Sequence, residues 1–244
     1  MSEMRGRMAG LYDVFVDWPG RLGREMPGLM KHLRSVDARR VLDVGCGTGQ
    51  HVAALRKEGF DAEGADSSEE MRAQADRVVG APTHAWRLGD PAPMDGPYDA
   101  IIGLGNMWPQ LTVEADVDAA LDEIRRLLRP GGLLLLGMKA FAGKIAARDP
   151  YLPLLRREHE GEPVYFVRFL DLAARDGHCI GFHSVVARGD ETSHRSGVSR
   201  VWCASELGAR VAARGFDVIA ITDGMDGPPA DDETENIFLR ATPA

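Results

Sequence analysis

The fold of this chain is decided by one stretch of ten residues, VLDVGCGTGQ at positions 41–50. A short apolar run that contains an acid breaks into three glycines spaced two apart, and a helical pattern follows to Gly59. A second strand-like run then ends at Asp66. Glycine lets the backbone turn sharply and lets a ligand approach it, and the N–H groups at a helix start face the same gap. An acid about twenty residues on suits the two hydroxyls of a ribose, so the stretch predicts a bound nucleoside.

Two details decide which nucleoside the stretch favours. Gln50 follows Gly49, so the glycines read G-x-G-x-G and not the G-x-G-x-x-G of dinucleotide-binding folds. Asp43 lies inside the apolar run, where a carboxylate needs a partner because burying it unpaired is costly. The ammonium group of an amino acid would be a fitting partner. A dinucleotide site and a glycine turn that binds no ligand are the alternatives.

In these residues the chain resembles the class I S-adenosylmethionine-dependent methyltransferases, whose first motif reads much like LDVGCGTG. The resemblance implies S-adenosylmethionine as the cofactor, S-adenosylhomocysteine as its product and no metal. Weaker motifs, such as LRPGG at residues 128–132, extend the resemblance over nearly the whole chain. The expected fold is α/β: a Rossmann-like, doubly wound, seven-stranded and mostly parallel sheet whose last strand is antiparallel. An antiparallel β insertion, either a lid or a dimer sheet, is expected after strand 5.

The pattern of apolar residues predicts a single domain with four parts. Residues 1–39 read as a helical cap that Trp18-Pro19-Gly20 breaks into two helices, and residues 203–244 close the core sheet. Residues 40–139 form the cofactor-binding core, with a third strand over 84–88, a helix over 113–129 and a fifth strand over 133–138. Residues 140–202 form the insertion, whose strands over 164–172, 179–187 and 194–202 are joined by Asp176-Gly177 and Gly189-Asp190.

Composition and charge narrow the classes of partner. The 244 residues carry a net charge of −8 with Lys and Arg scattered along the chain, whereas nucleic-acid-binding proteins show a basic stripe. Cys46, Cys179 and Cys203 are odd in number and unpatterned, which indicates reduced thiols rather than disulfides or a zinc site. No apolar run reaches the length of a membrane span. We therefore expect a cytoplasmic protein that acts on a small molecule, without nucleic acid or membrane as a partner and with a homodimer left open.

The resemblance also assigns roles to individual residues. In the glycine N-methyltransferase-like branch, an arginine of the N-terminal helix pairs with the methionine carboxylate; Arg21 is the best match, and Arg24 lies one helical turn away. Asp43 would hold the same amino acid, Asp66 the ribose and Asp90 the adenine, although Asp90 could instead cap a proline-rich loop. The full predicted cofactor-binding set is Tyr12, Arg21, Asp43, Gly45, Cys46, Gly47, Thr48, Gly49, Asp66, Ser67, Met71, Gly89, Asp90, Leu104 and Gly105. For Tyr12 and Met71, packing on the core is the alternative.

Residues 103–109 leave the fourth strand at its carboxyl end, where ligands bind in open α/β sheets. We predict that Asn106 and Trp108 flank the transferred methyl group and that Tyr12 joins them as a catalytic residue. The segment resembles the LGNS run of bacterial small-molecule members, although Gln110 stands where those usually carry histidine. The segment lacks the signature of enzymes that methylate nucleic-acid bases, which is Asn or Asp followed by Pro-Pro and then Tyr or Phe. It also lacks the acid that metal-dependent catechol enzymes need directly after this strand.

The predicted function is transfer of a methyl group to the nitrogen of a small metabolite by in-line displacement. An amine needs only to arrive unprotonated, whereas a hydroxyl needs a positioned base, and none of the seven histidines lies on a motif that faces the methyl group. The alternatives are an O-methyltransferase of a natural product or sugar, an aminosugar N-methyltransferase, and a non-catalytic nucleoside-binding module. A nucleotide-dependent oxidoreductase is disfavoured by the glycine spacing. Candidates for lining the acceptor pocket, each with a structural alternative, are Lys139, Tyr165, Phe166, Arg168, His178 and His183.

Overall fold

The computed structural model describes residues 11–172 and 178–244, which form two β-sheets and a set of helices. The seven strands of the larger sheet are β1 (Arg40–Val44), β2 (Asp61–Asp66), β3 (His84–Ala85), β4 (Tyr98–Leu104), β5 (Leu128–Lys139), β10 (Phe216–Thr222) and β11 (Asn236–Pro243). Their spatial order is β10-β11-β5-β4-β1-β2-β3. Strand β11 is antiparallel to both of its neighbours, and the other pairs are parallel. The predicted sheet, with its antiparallel last strand, is confirmed.

Helices connect the strands of this sheet. Residues 11–15 are helical, and the helices that follow are α1 (Trp18–Ser35), α2 (Gln50–Lys57), α3 (Glu69–Val79), α4 (Glu114–Leu127), α5 (Ala142–Ala146) and α6 (Ala204–Ala213). A short 3-10 turn covers Trp108–Gln110. The Ser68 hydroxyl accepts a hydrogen bond from the Met71 N–H (3.3 Å) and so caps α3. Within the described ranges, the helices are too short or too polar to cross a lipid bilayer.

The second sheet is the antiparallel insertion predicted after the fifth strand. Its strands, in order, are β6 (Leu155–His159), β7 (Glu162–Asp171), β8 (Cys179–Arg188) and β9 (Glu191–Arg200). Gly189-Asp190 makes the turn between β8 and β9 as expected, whereas the Asp176-Gly177 turn lies outside the described residues. The sequence gives no sign of β6, because LRREH at 155–159 has no alternation of apolar and polar residues. Backbone pairing with β7 defines this strand.

The predicted break between a short first helix and a longer second one is present, but it lies at residues 16–17, because Trp18-Pro19-Gly20 begin α1. Proline has no N–H to donate, and the first turn of a helix has no acceptor for one, so proline is tolerated there. The Asp17 carboxylate accepts a hydrogen bond from the Gly20 N–H (3.1 Å) and caps the helix. The chain therefore bends before Trp18, at residues 16–17.

Two predicted boundaries in the core also differ. Strand β3 ends at Ala85 instead of residue 88, because the chain then curls and the Trp86 indole N–H donates to the Asp90 carbonyl (2.9 Å). Helix α4 ends at Leu127, and β5 begins at Leu128, so the Pro-Gly-Gly run lies within the strand. A register shift in the pairing of β4 with β5 accommodates that run.

The N-terminal helical segment contacts both halves of the molecule. Tyr12 lies against the glycine turn that follows β1. Apolar side chains of the same segment pack on β7 and β8 of the insertion, in a cluster formed by Leu11, Val14, Phe15, Leu155, Val164, Phe166 and Val186. The carboxyl ends of β1, β2 and β4 and this segment therefore border one region, which holds the candidate site.

Candidate functional site

The glycine turn joins β1 to α2 and has the backbone conformation that only glycine adopts readily. Gly45, Gly47 and Gly49 have φ angles of 69°, 57° and 77°. A Cβ atom at Gly45 would meet the Met107 side chain at 2.5 Å, and one at Gly49 would meet Val79 at 2.7 Å. At Gly47 the nearest atom would be Tyr12 Cε1, 4.0 Å away. Two of the glycines therefore permit close packing, and Gly47 borders the space where a ligand can lie against the backbone.

Asp66 ends β2 and is tied to this turn. Its carboxylate oxygens accept hydrogen bonds from the Gly47 N–H (2.9 Å) and the Ser68 N–H (2.8 Å). The turn is also attached to β2 through the Ala65 carbonyl, which accepts from Gly45 N–H (2.8 Å) and Cys46 N–H (3.0 Å). A carboxylate has about four acceptor positions. Asp66 therefore shapes the turn and keeps acceptor capacity for the hydroxyls of a ribose.

Asp43 is a buried carboxylate without a full set of partners. Its side chain lies in β1, the residue is 2% exposed, and Oδ1 has no hydrogen-bond partner among the described residues. Burial raises the pKa of Asp43 well above its usual range, although the nearby Arg21 opposes the shift. Because an orphaned buried acceptor is costly, this position calls for a donor that carries positive charge. The residues present thus fit the ammonium group of S-adenosylmethionine.

Arg21 is the arginine that the structure brings to the turn, whereas Arg24 is exposed. The Arg21 Nε donates to both carboxylate oxygens of Glu25 (3.1 Å each), and Glu25 Oε2 in turn contacts His51 Nε2 (2.7 Å). The other end of the guanidinium faces Gly105, where an added Cβ atom would lie 3.3 Å from Nη2. The donors on the Gly105 side are those that would meet a carboxylate ligand.

The pKa of Glu25 shows that the cluster of Arg21, Glu25 and His51 favours the charged form of the Glu25 carboxylate. Burial raises that pKa, but the hydrogen bond from His51 and the charge of Arg21 outweigh the effect, so the pKa is lowered. Neither Glu25 nor His51 was among the predicted site residues. The four-residue spacing between Arg21 and Glu25 was the one usable signal, because such pairs meet on a helix. His51 lies on another helix, and nothing local connects it to them.

Asp13, which was not among the predicted site residues, holds the N-terminal segment over the glycine turn. Asp13 Oδ1 accepts hydrogen bonds from the Thr48 hydroxyl (2.6 Å) and the Trp18 indole N–H (2.7 Å). Tyr12, the neighbour of Asp13, is brought to Gly47 in this way. Burial raises the pKa of Tyr12, and the charge of Arg21 opposes the shift without reversing it. Tyr12 is therefore a neutral phenol at physiological pH.

The predicted catalytic pair beside the fourth strand is separated. Asn106 is exposed, and its amide oxygen accepts from the Lys139 N–H (3.0 Å), which holds the side chain beside the end of β5. Trp108 is 0% exposed and belongs to the hydrophobic core, because the 3-10 turn rotates its ring inward. Leu104 is buried at the end of β4, and Gly105 has a φ angle of 103°. Direct contact between Trp108 and a methyl group is therefore not supported.

Asp90 and Gly89, which were predicted to bind the cofactor, contact other parts of the protein. The Asp90 carboxylate is exposed and accepts from Arg87 (3.2 Å), while Arg87 also pairs with Asp116 at the start of α4 (2.7 Å). A Cβ atom at Gly89 would lie 3.0 Å from Asp116. These contacts tie the loop to α4 and give the Asp90 carboxylate an arginine as its partner, so its role at the adenine and its role as a cap of the proline-rich loop both stay predictions. Ser67 is exposed beside the cap of α3, and Met71 is half-buried in the first turn of that helix.

Cys46, which lies between Gly45 and Gly47 in the glycine turn, is placed for packing. Its sulfur is buried against Gly64 of β2, where an added Cβ atom would lie 2.8 Å from Sγ. Burial and the charges of Asp43 and Asp66 raise the pKa of the Cys46 thiol far above its usual range. The Cys46 side chain is therefore an uncharged thiol that fills the space under the turn.

The predicted acceptor-pocket residues lie on opposite faces of the insertion. Phe166 and Arg168 face the N-terminal segment, with their side chains against Phe15. Tyr165 is exposed on the other face, where His183 stacks on Phe169 at a ring-centre distance of 4.8 Å. Lys139 and His178 are exposed. Among residues 11–172 and 178–244, no three His, Cys, Asp or Glu side chains come together as metal ligands.

Comparison with known proteins points to one family. Residues 41–132 match the family model described as a methyltransferase domain. The glycine/sarcosine N-methyltransferase of Parasynechococcus marenigrum is 36% identical over 132 residues, which make up 51% of this chain and 46% of that protein. The chain thus spans about half the length of the curated relatives that it matches.

Solved structures match over nearly the whole chain. An S-adenosylmethionine-dependent methyltransferase from Clostridium acetobutylicum has a TM-score of 0.77 at 13% identity and covers 98% of each chain. The sugar N-methyltransferase KedS8 from Streptoalloteichus has a TM-score of 0.73 at 25% identity, covering 95% of this chain and 92% of that one. Residues 41–132 therefore carry a methyltransferase domain, and the chain resembles the class I S-adenosylmethionine-dependent methyltransferases, among them the glycine N-methyltransferase-like enzymes.

Proposed function

We propose that the protein transfers a methyl group from S-adenosylmethionine to the nitrogen of a small-molecule amine. The observation that carries this proposal is the arrangement around the glycine turn. Asp43 is a buried carboxylate with an unpartnered oxygen, and Arg21 lies near it with donors that face Gly105. Two opposite charges side by side suit the ammonium and carboxylate of one amino acid. A nicotinamide dinucleotide has no ammonium group for Asp43.

The cofactor supplies the activated methyl group, and the protein supplies position and electrostatics. In this proposal, Asp43 and Arg21 hold the amino-acid end, and Asp66 holds the ribose. The segment that Asp13 fastens over Thr48 keeps water away from the reaction centre. Fixing two reactants in line can contribute several kcal/mol to catalysis, on the order of 7–11 at best.

Nitrogen is favoured over oxygen as the acceptor because the described residues offer no positioned base at the reaction centre. Tyr12 has a raised pKa, so its phenol stays protonated and can orient an amine but does not remove a proton from a hydroxyl. His183 stacks on the outer face of the insertion, away from the N-terminal segment. Gln110 donates to the Asn106 carbonyl (3.0 Å), and an amide cannot act as a base at neutral pH.

An amino sugar is a second candidate acceptor. The match to the sugar N-methyltransferase KedS8 covers nearly the whole chain, including the insertion. The match to the glycine/sarcosine N-methyltransferase of Parasynechococcus marenigrum covers 51% of this chain, and the match to that of Aphanothece halophytica covers 75% at 27% identity. Because the insertion borders the proposed acceptor side, a likeness that spans it makes a sugar amine a candidate beside glycine.

The test is a methyl-transfer screen followed as release of S-adenosylhomocysteine. Its acceptors are glycine, sarcosine, nucleotide-linked amino sugars, phenols and an RNA oligonucleotide, with a reaction that lacks acceptor as the control. Release with amines, and none with phenols or RNA, is expected. Release with a hydroxyl acceptor and with no amine would overturn the assignment to nitrogen. Failure of S-adenosylhomocysteine to bind would overturn the assignment of the cofactor.

A further inference from the structure

We propose that Arg168 recognises an anionic group, a carboxylate or a phosphate, on the acceptor. This inference deepens the proposed function and rests on it, because it assumes that the space beside the N-terminal segment receives the acceptor. It names the chemical class of the substrate: an amine that also carries a negative charge.

The first observation is that Arg168 has no counter-ion among the residues that the structure describes. Its side chain lies on the inner face of β7, and its buried Nε has no hydrogen-bond partner. Within the described ranges, no Asp or Glu forms an ion pair with it. Burial alone lowers the pKa of Arg168, and no neighbouring carboxylate opposes that effect. A partly buried guanidinium that no described residue neutralises is costly to maintain, which is the reason to look for a ligand.

Arg200, which is more deeply buried than Arg168, is treated differently by the same chain. Arg200 is 2% exposed, and although its Nε also lacks a partner among the described residues, its guanidinium pairs with Glu206 (2.6 Å) and Glu114 (3.2 Å). Burial lowers its pKa, but the two carboxylates outweigh that effect and raise it. The described residues thus neutralise the charge of Arg200 and do not neutralise that of Arg168.

The second observation is the position of Arg168 relative to the cofactor site. Its guanidinium carbon lies 4.6 Å from the centre of the Phe15 ring. The Phe15 ring is 6.4 Å from the ring of Tyr12, on the same short helical segment, and Tyr12 lies against Gly47. One segment therefore carries an aromatic ring at the cofactor turn and another under Arg168. The rings of Phe15 and Tyr12 therefore connect the guanidinium of Arg168 to the glycine turn.

The contact with Phe15 leaves the charge of Arg168 in place. A cation–π contact orients a guanidinium but does not neutralise it or use its in-plane N–H donors. Those donors form a planar fork that matches a carboxylate or a phosphate in two parallel hydrogen bonds. An amino acid supplies the first group, and a nucleotide-linked amino sugar supplies the second.

The experiment compares Arg168→Met and Arg168→Lys with the control Arg156→Met. Arg156 is exposed in β6, opposite Tyr165 of β7, and pairs with Glu158 (3.2 Å). Glycine and inorganic diphosphate are titrated by calorimetry into wild-type and variant proteins saturated with S-adenosylhomocysteine. The same variants are assayed for KM and kcat with whichever amine the acceptor screen identifies and with its neutral derivative, an ester or a dephosphorylated form.

Arg168→Met is expected to weaken binding of one anion, and to raise KM for the anionic acceptor, by about tenfold to a hundredfold. Arg168→Lys is expected to recover part of the loss, while Arg156→Met and the affinity for S-adenosylhomocysteine stay unchanged. Loss confined to glycine identifies a carboxylate, and loss confined to diphosphate identifies a phosphate. The inference is overturned if neither anion binds the wild type, or if Arg168→Met matches Arg156→Met. Loss of methyl transfer to every amine, with normal binding of S-adenosylhomocysteine, would instead contradict the proposed function.

Discussion

The Asp43→Asn substitution tests whether the buried carboxylate lowers the stability of the cofactor-free protein and raises its affinity for the cofactor. Asp43 is 2% exposed and its Oδ1 has no partner among the described residues, so ionised aspartate destabilises the cofactor-free state. An unsatisfied buried acceptor costs about 1–3 kcal/mol. Asparagine has nearly the same shape and no charge. We expect it to raise the free energy of unfolding of the cofactor-free protein by about 1 kcal/mol near neutral pH.

The pH dependence fixes the sign of this effect. Burial raises the pKa of Asp43 in the folded state above its value in the unfolded chain. The contribution of this group to stability is then complete below the unfolded pKa and is lost as pH rises through the folded pKa. The difference in unfolding free energy between Asp43→Asn and the wild type should therefore grow as pH rises. Urea unfolding of both proteins at several pH values measures it.

Cofactor affinity should change in the opposite direction. The variant loses a hydrogen bond between two charged groups, which is worth about 1.5–3 kcal/mol, or roughly 10-fold to 150-fold in Kd. Calorimetric titration with S-adenosylhomocysteine measures the loss. Asp99→Asn is the matched control, because Asp99 accepts from Arg39 and Arg40 N–H groups (2.8 Å each). That control should lower stability and leave affinity unchanged. The reasoning is refuted if Asp43→Asn destabilises the protein as Asp99→Asn does and binds S-adenosylhomocysteine with wild-type affinity.

Three further substitutions test the site. Asp66→Ala removes the acceptor of two backbone N–H groups and the proposed ribose partner, so affinity for S-adenosylhomocysteine should fall by about 1–3 kcal/mol; unchanged calorimetric affinity would show that Asp66 is not at the cofactor. Glu25→Gln removes the charged partner of Arg21 and should weaken cofactor binding severalfold without changing KM for the acceptor. An equal loss of cofactor affinity and of acceptor affinity would argue against a positioning role for Glu25. Gly49→Ala should lower the unfolding free energy by about 2 kcal/mol or more, because it adds a clash to left-handed backbone strain. Gly80→Ala has the same strain without a clash and should cost about 1 kcal/mol; equal urea midpoints would contradict the packing argument.

The features that sequence predicts well are local ones. The glycine turn, the acid at the end of β2 and the parallel core follow from residues close together in the chain. Left-handed glycines, a capped helix and buried apolar strands each have their own sequence pattern. The turn between β8 and β9 was predictable for the same reason, because Gly189-Asp190 joins two adjacent strands.

The features that sequence misses depend on contacts between distant residues. Glu25 and His51 meet across two helices, and Asp13 reaches Thr48 over 35 positions. Trp108 lies on a short 3-10 turn, and this turn places its ring in the core instead of at the predicted site.

Pairing between strands causes the remaining errors. Neighbouring side chains on a strand point to opposite faces, so Tyr165 and Phe166 cannot line one pocket. The face of His183 follows from its pairing with Phe169, which no single strand reveals. Strand β6 has a polar sequence and exists through its backbone pairing with β7.

Calorimetric titration of the wild-type protein with S-adenosylhomocysteine, and in parallel with NAD, tests the assignment of the cofactor most directly. Asp43, Arg21 and Asp66 together match a nucleoside that carries an amino acid. Saturable binding of S-adenosylhomocysteine with one ligand per chain, and none of NAD, is the expected result. Binding of NAD without binding of S-adenosylhomocysteine would contradict it.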